Sequence, residues 1–239
     1  MSDTDFVGAG FVSNNTELTI ELPTKEPESF RAQKLVGMFE LKPEHLVKKI
    51  QAHLKLPEDW NVGLIVGRSG TGKSTIAQKA FGSRDWDSID AQLPIIDAMP
   101  GEKSVEEITK TFTQVGFSSP PSWLKPYTVL SNGEKMRVQL ASALLSSTDC
   151  IMFDEFTSVV DRDVAKVVSR VIQKNVRAHN KKFVAVTCHY DVEDWLEPDW
   201  IFSTDEMKML DASKKKDQLS SKFTDQALIR GDCLEIITI

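Results

Sequence analysis

The sequence has few cysteines, no long apolar run and no excess of basic residues. Its only cysteines among 239 residues are Cys150, Cys188 and Cys233, too few for a disulfide framework. The first two lie in apolar, strand-like segments, which indicates reduced thiols of an intracellular protein. No CxxC or HxxxH spacing occurs among the cysteines and histidines, which argues against a structural zinc site.

Apolar segments such as Phe183 to Val186 are far shorter than the roughly 20 residues that span a bilayer. The start, MSDTDFVGAG, has no basic stretch followed by an apolar core, so we expect no signal peptide. With 29 basic and 35 acidic side chains, the net charge of −6 argues against a general polyanion binder. These absences predict a cytoplasmic protein, and the length fits one large domain or two small ones.

The first third of the chain shows mainly strand patterns. Phe11 to Leu22 alternates in polarity and predicts one or two strands that end at Pro23. Glu26 to Glu40 is ambiguous and fits a short helix. Around Ile50 the apolar residues recur at every second position, which predicts a half-buried strand, although a helix through Leu46 and Val47 is the alternative.

From residue 62 onwards strands, loops and helices alternate, which predicts an α/β fold with a mainly parallel sheet. The predicted strands are the apolar runs Val62 to Val66, Cys150 to Phe153 and Phe183 to Thr187, with further short strands from Trp200 and a last one at Leu234 to Ile239. The predicted helices are Ser74 to Phe81, Ser104 to Val115, Gly133 to Ser146 and Asp161 to Asn180.

Two of the predicted helices carry further detail. In the second, Ser104 and Glu107 fit a capping box, and Val105, Ile108, Phe112 and Val115 share one face. In the last, Val164, Val167, Val168, Val171 and Ile172 form one apolar stripe.

The segment between the first apolar strand and its helix fits G-x-x-x-x-G-K-[ST]. Its residues are Gly67, Arg68, Ser69, Gly70, Thr71, Gly72, Lys73 and Ser74, followed by Thr75. Glycines let the backbone amides wrap around phosphate oxygens at a helix N-terminus. Lys73 is expected to reach the β- and γ-phosphates and Ser74 to ligate Mg²⁺. The motif predicts a nucleoside triphosphate site.

Three further features follow in order. Ser131, Asn132, Gly133 and Glu134 open a helix and form a second potential anion-binding end, which a plain N-cap at Ser131 explains equally well. Asp154 and Glu155 stand at the tip of a buried strand, where Asp154 is expected to hold Mg²⁺ and Glu155 to polarise an attacking water. His189 follows the next strand, in position to sense or stabilise the γ-phosphate.

The order GRSGTGKS, LSNGE, CIMFDE and a histidine after a strand resembles the ATP-binding cassette (ABC) ATPases. The resemblance implies Walker A and Walker B motifs, Mg²⁺-dependent ATP hydrolysis and a P-loop α/β fold. That fold has an N-terminal antiparallel β part and, here, a shortened helical subdomain. LSNGE stands for the usual LSGGQ signature, with Asn132 and Glu134 as departures. In the family two protomers dock head to tail, so the signature serves the partner's ATP and the expected unit is a homodimer.

The resemblance also assigns roles residue by residue. Asp161 matches the D-loop aspartate at the subunit contact, and His189 matches the switch histidine. Gln92 is the candidate for the glutamine that ligates Mg²⁺, although it lies just 19 positions after Lys73. The candidates for the aromatic residue that stacks on adenine are Phe39 and Trp60.

The predicted layout is one ABC-type domain over residues 1–239. It consists of a β part at about 1–60, a core from Walker A to the switch at 61–190, and C-terminal strands at 200–239. From Lys73 to Ser131 there are 58 positions, fewer than transporter ATPases usually place there.

Longer segments, such as VGFSSPPSWLKPYTVLSNGE, resemble soluble, often phage-encoded ABC ATPases that are fused to or adjacent to GNAT-type acetyltransferases. The chain has too few residues after this core for such a domain, so an acetyltransferase partner would be a separate protein.

Three functional classes therefore fit the sequence. The first is a soluble ATP-driven switch for a partner protein, and the second is the ATP-binding subunit of a transporter. The third is a DNA-associated ATPase, against which the acidic balance and the absence of a coiled-coil insertion both argue, although Lys181, Lys182 and the run Lys214 to Lys216 are available for phosphate contacts.

Overall fold

Two sheets and seven α-helices make up the part of the chain that the computed structural model describes, residues 15–23, 29–40, 47–82 and 89–210. The strands are β1 Asn15–Pro23, β2 Val47–Lys55, β3 Val62–Val66, β4 Cys150–Phe153, β5 Lys182–Thr187, β6 Trp200–Ser203 and β7 Lys208–Leu210. The α-helices are α1 Phe30–Met38, α2 Lys73–Phe81, α3 Val105–Gln114, α4 Pro120–Trp123, α5 Asn132–Leu145, α6 Arg162–Ala178 and α7 Glu193–Leu196.

The core sheet has the order β4-β5-β3-β6-β7, with the first four strands parallel and β7 antiparallel at the edge. Every residue of β3 is buried, as befits the central strand of a sheet that is covered on both faces. The predicted central strand Val62 to Val66 is therefore confirmed. Parallel strands point their carboxyl ends to one edge, so the loops after β3, β4, β5 and β6 meet there.

The N-terminal β part is a two-stranded antiparallel sheet in which Ile20 pairs with Ile50. On β2, Ile50, Ala52 and Leu54 are buried and the residues between them are exposed. The predicted half-buried strand is confirmed and the helical alternative is wrong. The helix anticipated within 26–40 is α1, which buries none of its side chains.

Two apolar clusters lie on opposite faces of the core sheet because successive residues of a strand point to opposite sides. Leu64 and Phe183 belong to the cluster that includes apolar residues of α3, α5 and α6. Ile65 and Val184 belong to the cluster that includes residues of α2 and the β1–β2 sheet. The phosphate loop and α2 are thus held on the side of the N-terminal sheet.

The capping box of α3 is confirmed, since the Ser104 side chain accepts from the Glu107 backbone and the Glu107 carboxylate accepts from the Ser104 amide. Ile108 and Phe112 are buried as expected, but Val105 is exposed. Val105 is the first residue of the helix.

The stripe predicted on α6 is rotated relative to the face that packs. Val168 and Ile172 are buried, but Val167 is exposed. The buried face also takes in Ala165 and the polar Ser169. Ser169 Oγ donates to the carbonyl of Ala165 at 2.7 Å, which makes a serine compatible with a buried helix face.

Cys150 is buried in β4, and burial raises the pKa of its thiol to about 12. Cys188, which follows β5, is partly buried. Cys233, the Lys214 to Lys216 run and the predicted strand Leu234 to Ile239 lie outside the described residues. In the described parts of the chain, no helix has the length and apolar character needed to cross a membrane.

Candidate functional site

The phosphate loop connects β3 to α2 at the carboxyl edge of the sheet. Gly72 forms the N-cap of α2 with φ of 97°, in the left-handed region that favours glycine. A Cβ on Gly72 would also lie 2.7 Å from Ile50 Cδ1. No side chain caps this helix and its first turn holds no acidic residue. Its first amides are therefore available to an anion.

A cavity of about 290 Å³ opens beside this helix end. Its lining comes from the phosphate loop, the first turn of α2, the N-terminal sheet and the loop after β4: Ile50, Ser69, Gly70, Gly72, Lys73, Ser74, Thr75 and Glu155. Sequence reasoning named all of these except Ile50, which it assigned only to a strand. The cavity joins the predicted phosphate-binding residues to the predicted catalytic carboxylate.

Lys73 is 7% exposed, and its Nζ donates to the carbonyl oxygen of Arg68 at 2.8 Å. The Thr71 hydroxyl donates to the same carbonyl, also at 2.8 Å. An ammonium group has three donors, so one bond to the loop does not exhaust its capacity for phosphate oxygens. The position of Lys73 is thus set by the loop that it serves.

The turn after β6 packs against the phosphate loop and hydrogen-bonds to it. Thr204 Oγ1 lies 2.6 Å from Thr71 Oγ1, and the Thr204 amide donates to the carbonyl of Val66 at 2.9 Å. Gly67 packs against this turn so closely that a Cβ would lie 2.2 Å from Thr204 Oγ1. Sequence reasoning missed Thr204 and Asp205, for which the only signal was polar residues directly after a buried apolar strand.

The two acidic residues after β4 have different environments. Asp154 is buried, and its Oδ1 accepts from the Glu155 amide at 2.9 Å. Glu155 is exposed and has φ of 52°, and its Oε2 accepts from the Ser158 hydroxyl at 2.8 Å. Phe156 is fully buried and its amide donates to the carbonyl of Val186 at 2.9 Å. This anchor fixes the turn that carries Glu155 into the cavity lining.

His189 follows β5 at the same edge of the sheet, and its amide donates to the Thr187 hydroxyl at 3.1 Å. Burial lowers the pKa of His189, the Arg162 guanidinium lowers it further, and the carboxylates of Asp191 and Glu155 oppose both effects. The net shift is downward, so the imidazole is neutral at physiological pH. A neutral ring has one donor and one acceptor nitrogen.

The predicted signature segment begins α5. Ser131 is the N-cap and forms a capping box with Glu134, whose Oε2 accepts from the Ser131 hydroxyl at 2.8 Å and from its amide at 3.0 Å. These hydrogen bonds, the backbone bond first, lower the pKa of Glu134 against a smaller opposing effect of burial. The plain N-cap interpretation of Ser131 is thus confirmed. None of Ser131 to Glu134 lines the cavity at Lys73.

The remaining predicted residues lie apart from the cavity lining. Asp161 is the N-cap of α6, where its Oδ1 accepts from the Val164 amide at 2.9 Å. Gln92 is exposed, and its backbone amide donates to Asp90 Oδ1 at 2.9 Å.

The two adenine-stacking candidates differ in exposure. Trp60 is buried against Phe81 and Trp200, with ring centroids 6.2 and 5.4 Å away, so its candidacy is wrong. Phe39, at the end of α1, is 65% exposed.

The residues that could hold Mg²⁺ fit an ion that arrives with phosphates. Ser74 and Glu155 line one cavity, and Asp154 directly precedes Glu155. Within the described ranges no three His, Cys, Asp or Glu side chains are grouped to hold a metal by themselves. Magnesium bound with a nucleotide usually takes one or two protein ligands beside phosphate and water oxygens, which matches this donor set.

No protein-family model matches the chain. Its sequence is 31% identical over 98 residues to the methionine import ATP-binding protein MetN 2 of Rhodococcus jostii, covering 41% of this chain and 28% of that protein. An uncharacterized ABC transporter ATP-binding protein of Haemophilus influenzae is 30% identical over 136 residues, covering 44% of this chain and 55% of its own length. The chain therefore spans from about a quarter to about half of these relatives.

Solved structures of ATP-binding cassettes share the fold. A dimeric cassette in a post-hydrolysis state with ADP and phosphate has a TM-score of 0.53 at 18% identity and covers 65% of this chain and 87% of its own. A bacterial Atm1-family ABC exporter with ATP bound has a TM-score of 0.56 at 17% identity, over 75% of this chain and 38% of its own. The chain thus has the fold of the ABC ATPases and shares sequence segments with ATP-binding proteins of that superfamily, as predicted.

Proposed function

We propose that the chain binds ATP with Mg²⁺ at the phosphate loop and hydrolyses it to ADP and phosphate. The observation that carries the proposal is the cavity in which Lys73, the open N-terminus of α2 and Glu155 meet. An uncapped helix end and an ammonium group together favour a chain of phosphates. A carboxylate beside that anion site is placed to orient and polarise a water molecule.

The other site residues have supporting roles in this proposal. Ser74 and Asp154 are the proposed Mg²⁺ ligands, and the ion would supply charge stabilisation at the phosphates. Gln92 stays a proposed further ligand, which would have to approach from outside the cavity lining. Asp154 fixes the position of Glu155 through the backbone amide of that residue. His189, neutral because of its lowered pKa, is proposed to donate a hydrogen bond toward the γ-phosphate without adding charge.

The signature segment is proposed to act on the ATP of a second copy of this chain. Ser131 to Glu134 open a helix that does not line the chain's own phosphate cavity. Next to it lies Val160, which directly precedes the proposed D-loop residue Asp161, because a Cβ on Gly133 would lie 3.5 Å from Val160 Cγ1. A similar fold was solved as a dimer with ADP and phosphate. A head-to-tail homodimer with Asp161 at the contact brings each signature to a partner's ATP.

Glu155→Gln tests the reaction and the dimer together. The amide keeps the shape of the side chain but cannot act as a base, so turnover should fall by about 10²-fold or more while ATP binding persists. With MgATP the variant should double its mass in light scattering and stay monomeric with MgADP. Glu106→Gln, an exposed carboxylate in the first turn of α3, is the control. If Glu155→Gln hydrolyses ATP at the wild-type rate, the proposed role of Glu155 is wrong. If the variant stays monomeric with MgATP, the proposed dimer is wrong.

For the role of ATP hydrolysis we propose a switch that acts on a partner protein. Between the end of α2 and the signature, the described part of the chain holds only one α-helix longer than four residues, α3, with the short turns α4 and Tyr127–Val129. The sequence resemblance to GNAT-associated ATPases names an acetyltransferase-like protein as the candidate partner. We propose that residues 1–239 form a single ABC-type domain for this purpose.

A transporter subunit is the second candidate because the sequence relatives include a methionine import ATP-binding protein and an ABC transporter ATP-binding protein. Affinity capture with the ATP-trapped Glu155→Gln chain separates the two. Recovery of a soluble transferase would support the switch, whereas recovery of an integral membrane protein would support transport. The Lys73→Ala chain, whose affinity for ATP should be strongly reduced, is the matched control for nonspecific capture.

A further inference from the structure

Arg68, in the phosphate loop, is held by a residue outside every motif of the sequence. Its backbone amide lies 3.2 and 3.3 Å from the two carboxylate oxygens of Asp205, and its Nε lies 3.2 Å from Oδ1. Asp205 belongs to the turn between β6 and β7. The amide of Arg68 is therefore engaged on the side of this turn, while its carbonyl accepts from Lys73.

The same carboxylate reaches the segment that follows β5. Tyr190 Oη donates to Asp205 Oδ2 at 2.6 Å. Tyr190 directly follows His189 and begins the 3-10 turn Tyr190–Val192. A single side chain thus joins the backbone of the phosphate loop to the residue next to the proposed switch histidine.

The protonation states of Asp205 and Tyr190 favour these hydrogen bonds. Burial alone raises the pKa of Asp205, but the hydrogen bonds from Tyr190 and Arg68 and the charge of Arg68 outweigh it, and the net pKa is lowered. Burial and the bond to Asp205 raise the pKa of Tyr190, which therefore keeps its proton and remains a donor. Asp205 is an anion that three donors from two separate segments hold in place.

We propose that Asp205 is a positioning residue that couples the phosphate loop, through Arg68, to the switch segment, through Tyr190. The inference rests on the proposed function, since it makes ATP in the loop and the placement of His189 depend on each other. Asp205 acts through the Arg68 amide and Tyr190 and need not touch the nucleotide. Loss of the Tyr190 hydroxyl should then weaken ATP binding although Tyr190 does not line the cavity.

A double-mutant cycle tests the coupling. MgATP affinity is measured by calorimetry in the Glu155→Gln background for Tyr190→Phe, Asp205→Asn and the two combined. We expect each single change to weaken binding about fivefold or more. The combined variant should be little weaker than Asp205→Asn alone, because Tyr190 acts through Asp205. The kcat values of the same changes in the otherwise unaltered chain should fall as well, because His189 is then less firmly placed.

Glu206→Gln is the matched control, because it makes the same carboxylate-to-amide change one residue along in the same turn, where the side chain pairs with Lys208 at 2.6 Å. It should bind MgATP like the parent. The coupling would be overturned if the effects of Tyr190→Phe and Asp205→Asn on MgATP affinity simply add. It would also be overturned if these changes lower the thermal stability and leave the MgATP affinity unchanged. Failure of the parent chain to bind MgATP would instead overturn the proposed function.

Discussion

Two helices of this protein begin at sites where the sequence predicts bound phosphate, and their N-termini differ. Helix α2 starts at Gly72 with no side-chain cap and no acidic residue in its first turn. Helix α5 starts at Ser131 with a complete capping box, in which the Glu134 carboxylate accepts from the amide and the hydroxyl of Ser131. The first end is left open for an anion, whereas at the second a carboxylate of the same chain already binds the amide and the hydroxyl of the N-cap residue.

The difference shows that two helix N-termini with similar predicted roles can have different functions. The open end of α2 can bind phosphate as it stands, with Lys73 supplying the positive charge. The end of α5 can offer the Ser131 amide and hydroxyl to a partner's ATP only if the Glu134 carboxylate moves or shares them. We therefore expect the first end to determine nucleotide affinity and the second to determine turnover in the dimer.

The largest effect should come from Lys73→Ala at the open end. Removing the ammonium takes the only lysine from the cavity lining, and the affinity for MgATP should fall by about 100-fold or more. Isothermal titration calorimetry measures this directly. Lys79→Ala, in the last turn of the same helix, is the control and should bind normally. Equal affinities for the two variants would remove Lys73 from the phosphate site.

Ser131→Ala should separate the two ends. It removes the hydroxyl at the proposed trans site, so turnover should fall by about tenfold or more while MgATP affinity of the monomer stays unchanged. The fitting control is Ser104→Ala, which breaks the equivalent capping box of α3. Both changes should cost about 1 kcal/mol of stability. If both slow turnover alike, the effect is structural and the trans role is wrong.

Gly72→Ala tests whether the backbone geometry at the uncapped N-terminus of α2 requires a glycine. Its φ of 97° and the 2.7 Å approach of a Cβ to Ile50 Cδ1 predict a loss of about 1–2 kcal/mol in the free energy of unfolding. MgATP affinity should fall too, because the loop must shift to relieve the contact. Urea denaturation measures the stability. Gly101→Ala, where no atom lies within 4 Å of the added Cβ, should change it little.

Glu134→Gln should give the smallest effect, and one that depends on pH. The pKa of Glu134 is lowered in the folded protein, so its charged form stabilises the fold at pH values above its unfolded pKa of about 4.5. That contribution is lost as pH falls through the lower folded value. Urea denaturation should therefore find wild type more stable than Glu134→Gln by about 0.5–1 kcal/mol near neutral pH.

The same pair should converge once the pH falls below the lowered pKa of Glu134 in the folded protein, because both side chains are then neutral. A stability difference between wild type and Glu134→Gln that persists unchanged in acid would show that the carboxylate charge is not the stabilising feature. The comparison needs no nucleotide, so it tests the capped end independently of catalysis.

Much of the fold followed from sequence patterns that reflect local physics. The apolar runs of β3 and β5 are strands buried on both faces, and the alternation around Ile50 marks a strand with one buried face. The errors lie where packing partners decide the outcome. Val167 has the character of a core residue, but the orientation of α6 leaves it exposed. Trp60 has the character of a ligand-stacking residue, but Trp200 and Phe81 enclose it.

By itself the sequence determined the phosphate loop, the two carboxylates after β4 and the capping box of α3, because each depends on residues close together in the chain. Only the tertiary structure decided that Ile50 and Glu155 share a cavity with Lys73 and that Asp205 bridges Arg68 and Tyr190. Those contacts form where the carboxyl ends of parallel strands meet, and strand order is set by packing across the whole sheet, which no local pattern records.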